Sequence, residues 1–228
     1  MGPRGKVDRM PQIFHPSANT LARLTIFGGG FAALGLLAVS YLVIQGPYQT
    51  KVGVIREQPV PFSHAHHVRG LGIDCRYCHV SVETSAIASV PPTYTCMSCH
   101  SQIWSESPML APVRDSLRED KPLKWNRLHD LPDFVYFHHG IHVQKGVGCV
   151  SCHGRVDLMP LAWKDQPLSM EWCLECHRHP ENHVRPREEI FNMEYSPPGG
   201  DQLAAGRKLI EEYHIPVDRL TNCSVCHR

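Results

Sequence analysis

An excess of either sign of charge is missing from this sequence: 23 Lys+Arg face 22 Asp+Glu, a formal net charge of +1. That balance excludes a nucleic-acid binder that works through overall basicity. Aromatics are scarce, at 8%, while 17 glycines and 19 prolines favour loops and short helices over a large sheet core. The 228 residues hold no phosphate-binding glycine loop, no nucleophile motif and no carboxylate pair at a diagnostic spacing, so no substrate site of the chain's own is expected.

What is present in excess is cysteine, 10 residues, and histidine, 16. All ten cysteines fall into five copies of one pattern, C-x-x-C-H: Cys75/Cys78-His79, Cys96/Cys99-His100, Cys149/Cys152-His153, Cys173/Cys176-His177 and Cys223/Cys226-His227. Chance supplies roughly 0.03 such matches at this composition. The pattern is the attachment signature of c-type haem. Two thiols on one helical turn bond the two vinyl groups of a porphyrin, and the adjacent imidazole is the proximal iron ligand. Disulfides would need no histidine after every second cysteine. Zinc would need a second cysteine pair or distant histidines to close each site. A thioredoxin-like motif would occur once, beside a βαβ pattern. Five covalent haem c groups are the reading.

Leu24 to Ile44 is an uncharged run of 21 residues. As a helix it spans roughly 31 Å, against about 30 Å of bilayer hydrocarbon. A cleaved signal would have an apolar region of about 7–15 residues. Ala38-Val39-Ser40 resembles a cleavage site but lies inside the run, which continues through Tyr41-Leu42-Val43-Ile44. The sequence therefore predicts a retained anchor. Arg4, Lys6, Arg9 and Arg23 precede it, against Asp8 alone. The positive-inside rule then puts residues 1–23 in the cytoplasm, 24–44 across the bacterial cytoplasmic membrane and the haem domain in the periplasm. Gly28-Gly29-Gly30 and Ala32-Ala33 offer a strip of small residues that another membrane helix could approach.

Beyond the span the chain repeats itself. Phe62-Ser63-His64-Ala65-His66-His67 precedes the motifs at Cys75 and Cys96, and Phe137-His138-His139-Gly140-Ile141-His142 precedes those at Cys149 and Cys173. The expected organisation is a two-haem module at 51–101, a proline- and charge-rich connector at 102–136, a second two-haem module at 137–180, and a segment at 181–228 with the fifth haem. Asp201 is placed to cap a helix over about Gln202–Tyr213. Five porphyrins in so short a chain would themselves be the core, so the fold should be irregular and α-helical with few or no strands.

Eleven histidines remain once the proximal ligands are assigned. The repeat equates His64 with His139 and His67 with His142, and residues three apart on a helix share a face. These four are the expected distal ligands of the first four haems. For the fifth, His214 and Met193 are equally placed; a methionine ligand would raise that haem's potential. His66 and His138 are expected beside ligands, and His129, His179 and His183 in solvent. After residue 50 the chain carries 19 basic and 21 acidic residues, net −2, and propionates add negative charge, a face suited to a basic redox partner.

The stretches Phe62-Ser63-His64 through Trp104, Leu131-Pro132-Asp133-Phe134-Val135-Tyr136-Phe137, Trp172-Cys173-Leu174-Glu175-Cys176-His177-Arg178, Arg185-Pro186-Arg187 and Phe191-Asn192-Met193 resemble the membrane-anchored pentahaem cytochrome c subunit of alternative complex III. More distantly, the F-x-H-x-x-H element is similar to that of class III multihaem cytochromes. The resemblance implies class III-like haem modules in a respiratory or photosynthetic chain. It further implies iron–sulfur and polytopic quinol-binding partner subunits, and relay of electrons from quinol to a cytochrome c or copper protein. His138 departs from that pattern, where a small polar residue is expected. The competing function is a self-contained multihaem quinol dehydrogenase, which needs an open or weakly ligated haem near the span. A haem-based sensor or scaffold fits five closely spaced haems poorly.

Overall fold

The computed structural model describes residues 13–227, which divide into a unit ending at Gln49 and a unit starting at Thr50. Arg4, Lys6, Asp8 and Arg9, on which the orientation argument rests, lie outside the described residues, as does Arg228.

The first unit is one helix, α1 (Ser17–Gln45), none of whose residues is buried. It begins seven residues before the apolar run and ends where Gly46 and Pro47 stop it. A Cβ at Gly46 would come within 2.9 Å of the Leu42 carbonyl oxygen, and proline cannot continue the ladder. Apolar on every side and exposed on every side, α1 is a helix long and apolar enough to cross a membrane. A short turn, α2 (Pro47–Thr50), follows.

The second unit is built from short helices: α3 (Cys75–Cys78), α4 (Thr93–His100), α5 (Ala111–Glu119), α6 (His139–Gln144), α7 (Val150–His153), α8 (Met170–Arg178), α9 (Gln202–Glu212) and α10 (Cys223–Cys226). Among the described residues there is no strand, only isolated bridges such as Ile55 to Trp163 and Val135 to His227. Side chains start the helices: Asp74 accepts from Arg76 N–H at 2.8 Å, Ser169 from Trp172 N–H at 3.3 Å and Asp201 from Ala204 N–H at 3.0 Å. The predicted cap at Asp201 is present, and α9 stops one residue short of the predicted end, at Glu212.

The two copies of the repeat interlock. Ala65 N–H donates to Met159 O at 3.0 Å, and its equivalent, Gly140, donates to Ser85 O, also at 3.0 Å. Ser85 and Met159 lie ten residues after Cys75 and Cys149, so each histidine turn docks on the segment that follows the other copy's first haem motif. The copies differ by one residue between histidines and cysteines. His67 O accepts from Ile73 N–H, six residues on, where His142 O accepts from Val147 N–H, five residues on. The first copy absorbs the extra residue by winding Ala65–Gly70 as a π-helical turn.

The polypeptide core is thin. Among the described residues ten apolar side chains are buried, and most of these form three small clusters around Val113, Ile190 and Val184. Tyr77, Val80, Ile87, Tyr94 and Ile103, all near haem motifs, are more than half exposed. A unit this size that buries so little needs another apolar body to fold around.

Candidate haem-binding sites

Each C-x-x-C-H copy lies on a short helix; the histidine closes or immediately follows it in four copies, and α8 runs one residue past His177. None of the ten cysteines is joined in a disulfide. Among the described residues no three His, Cys, Asp or Glu side chains converge on one point, as a closed tetrahedral ion site would require.

The imidazoles are held by their inner nitrogens. Nδ1 of His79 lies 2.7 Å from Ser89 O, that of His100 3.0 Å from Ile103 O, and that of His177 2.9 Å from Leu220 O. The second histidine of each F-x-H-x-x-H element bonds one turn back. His67 Nδ1 is 2.8 Å from Ser63 O and His142 Nδ1 is 2.8 Å from His138 O. His139 Nδ1 is 3.0 Å from Ala86 O. At His139 the Ala88 N–H also points at Nδ1, at 3.3 Å; at the other five a carbonyl oxygen, which only accepts, is the partner, so Nδ1 donates and Nε2 keeps a free lone pair, the tautomer that binds iron.

Opposed rings stand at a repeated spacing. The centroids of His67 and His100 are 6.2 Å apart, those of His142 and His177 also 6.2 Å, and those of His139 and His153 6.4 Å with planes 14° from parallel. Two imidazoles bonded through Nε2 to one metal at about 2.0 Å have centroids about 6 Å apart. Phe62 and Phe137 stack on the second histidines at 4.4 and 4.7 Å and meet the first edge-on at 4.9 and 4.7 Å, which fixes both rings in each copy.

Burial favours the neutral form of His64, His139, His142 and His153. It pushes His64 down to about 4, helped by nearby His79 and His67, and His153 down to about 3, helped by His129, His139 and other histidines. His139 and His142 are also lowered, by burial first. Neutral imidazole is the form that ligates iron. His64 Nδ1 is shielded from solvent with no hydrogen-bond partner.

Two expectations change. His129 is not in solvent: it is half-buried, its ring lies 4.4 Å from that of His153, burial pushes it to about 4, and its Nε2 is shielded without a partner. His183 is half-buried as well, which lowers it. The third histidine, His179, is exposed, 3.6 Å from Glu181. The extra histidine of the second copy, His138, caps α6: its Nδ1 accepts from Ile141 N–H at 3.2 Å. His66 is exposed and stacks at 6.0 Å on Trp104.

The fifth motif lies outside the repeat. Phe134 stacks on His227 at 5.9 Å, and Tyr136 N–H donates to Cys226 O at 2.7 Å, so the end of the connector lies along α10. His214 is exposed with a left-handed backbone, φ 50°, and Met193 is half-buried.

The residues present fit haem c: paired thiols on helical turns, neutral imidazoles with free Nε2 atoms, axial spacing and little apolar core of the protein's own. No family model matches the chain. It is 30% identical over 177 residues, 76% of its own length and 78% of the relative's, to the "Menaquinone reductase, multiheme cytochrome c subunit" of Nitratidesulfovibrio vulgaris Hildenborough. With the haem-binding geometry and this likeness together, the chain belongs to the multihaem cytochrome c subunit family that this relative represents.

Proposed function

We propose that this chain is the electron-relay subunit of a membrane quinol-oxidising complex of the alternative complex III type, carrying five covalent haem c groups. It passes electrons to a periplasmic acceptor such as a cytochrome c or copper protein. The haems supply reversible one-electron chemistry. The chain supplies thioether cysteines Cys75, Cys78, Cys96, Cys99, Cys149, Cys152, Cys173, Cys176, Cys223 and Cys226, and proximal ligands His79, His100, His153, His177 and His227. His64, His67, His139 and His142 are assigned as distal ligands of the first four haems in turn. For the fifth, His214 and Met193 compete. The N-terminus is cytoplasmic and iron–sulfur and polytopic quinol-binding subunits are the membrane partners.

The observation that carries this reading is the equal 6.2 Å spacing of His67–His100 and His142–His177 in two copies of a repeat. It supports six-coordinate irons, which have no open position for substrate. A pyridine haemochromogen assay with an EPR spectrum of the purified chain tests it. Five low-spin haems per chain are expected, and the fifth shows whether histidine or methionine completes it. Fewer haems, or a majority of high-spin irons, would refute it.

The relative's name favours a second reading, in which electrons run the other way, into menaquinone. The same chain serves either direction. Midpoint potentials mostly above that of the quinone fit quinol oxidation, and potentials below it fit quinone reduction. A self-contained quinol dehydrogenase is distinguished by reduction of the isolated chain with a menaquinol analogue.

A further inference from the structure

We propose that the haems form one unbranched row whose order differs from their order along the chain. The haem of Cys96/Cys99 is at one end, followed by those of Cys75/Cys78, Cys149/Cys152 and Cys173/Cys176, with that of Cys223/Cys226 at the other end. The inference rests on the five-haem reading above and adds the sequence of neighbours.

Each link has its own contact. The first joins the motifs at Cys96 and Cys75: Tyr77 Oη and Ser98 Oγ, one inside each motif, are 3.0 Å apart. His64 and His67 also stand side by side on one turn, and His67 faces His100.

The second link joins Cys75 to Cys149 through the interlock of the two copies. Ala65 docks on Met159 and Gly140 on Ser85. Val82, just after the first motif, shares a cluster with Val143 and Ile190 against which Cys149 packs. This interlock takes the row from the first haem of one copy to the first haem of the other, leaving the second haem of the first copy at an end.

The third link repeats the first in the other copy: α6 presents His139 at 6.4 Å from His153 and His142 at 6.2 Å from His177. The fourth is the bond from His177 Nδ1 to Leu220 O, three residues before Cys223.

Cysteine proximity follows the same order. Cys78 is within electrostatic reach of Cys96, Cys149 of Cys75, Cys152 of Cys176, and Cys173 of Cys226. Exposure agrees independently. Of the ten cysteines only Cys99 and Cys223 are exposed, one in each terminal motif. Electrons then enter and leave at the Cys96/Cys99 and Cys223/Cys226 haems, where the protein covers its cofactors least.

Deleting a haem moves the midpoints of the haems beside it, because each feels its neighbour's charge. In the full-length holoprotein, Cys96→Ala/Cys99→Ala should move one remaining midpoint and Cys75→Ala/Cys78→Ala should move two. A row in chain order requires the reverse, two and one, and that result overturns the proposal. If either variant fails to mature, anomalous-scattering positions of the five irons in the wild-type holoprotein decide. An iron of the Cys96/Cys99 haem nearest that of Cys149/Cys152 overturns the proposal. A haemochromogen count below five in the wild type refutes the five-haem reading itself, and the order with it; five haems with the wrong neighbours refute the order alone.

Discussion

Gly140 donates its main-chain N–H to Ser85 at 3.0 Å, and Ala65 makes the same bond to Met159 at the same distance in the other copy. The bonds are equivalent under the repeat, so each histidine turn docks on the segment that follows the other copy's first motif.

The interlock is tight at Gly140. A Cβ there would come within 3.0 Å of both the Glu83 carbonyl oxygen and the Thr84 carbonyl carbon, backbone atoms that cannot swing aside. Gly140→Ala should therefore destabilise the holoprotein by about 1–3 kcal/mol, the usual cost of overpacking. Position 65 already carries alanine in the first copy, so the loss is local to the second. A denaturation midpoint followed by far-UV circular dichroism measures it, and an unchanged midpoint would count against this packing.

His67 and His142 face their partners at the same 6.2 Å, so the same substitution should act alike in both copies. His67→Met and His142→Met each replace an imidazole with a thioether, which favours ferrous iron and raises the potential. One midpoint in each variant should rise, with the haem count unchanged. A potentiometric titration with the haemochromogen assay checks both. If no midpoint moves, the replaced histidine is not a ligand.

Much of the site was legible in the residues. Five C-x-x-C-H copies mark where porphyrins would attach, and the period of F-x-H-x-x-H sets which histidines share a turn. Asp201 and the apolar run were equally plain, because caps and bilayer length are local properties. Position 129 was not legible. Its histidine sits in no repeat, and with Arg127 and Asp130 close by in the chain it reads as solvated. Only the fold of the connector brings it 4.4 Å from His153. Nor do spacings reveal that the copies interlock, since both docking bonds use main-chain atoms, Ala65 to Met159 and Gly140 to Ser85, which no motif spacing specifies.

His129 offers a direct test of that missed contact. Its Nε2 is buried without a partner, so replacing the ring with an apolar side chain removes an unsatisfied group and should cost little stability. His129→Leu should still alter the haem of Cys149/Cys152, because the ring lies against His153. The expected outcome is one shifted midpoint, five haems retained and a nearly unchanged denaturation curve. A wild-type titration in this variant would mean that the contact is electrically silent.

A pH dependence follows from Asp157, four residues beyond His153. Arg155 grips it with two bonds, Nε to Oδ1 and Nη2 to Oδ2, both 2.8 Å. Arg155 also pairs with Glu194 at 3.1 Å, and Glu194 with Arg69 at 2.9 Å, so the network ties the first histidine turn to the segment after the third motif. The Arg155 hydrogen bond holds the Asp157 carboxyl below its usual range, against the opposing effect of burial. A carboxyl lowered in the folded state stabilises fully above its unfolded value, about 3.9, and loses that contribution as pH falls through the lower folded value. Asp157→Asn should therefore be less stable than wild type at neutral pH. The gap should hold down to about pH 4 and close below it. Unfolding curves for both proteins from pH 7 down to about pH 2 measure the gap. A difference that persists undiminished at the acid end would show that the asparagine acts through packing and not through the lost ion pair.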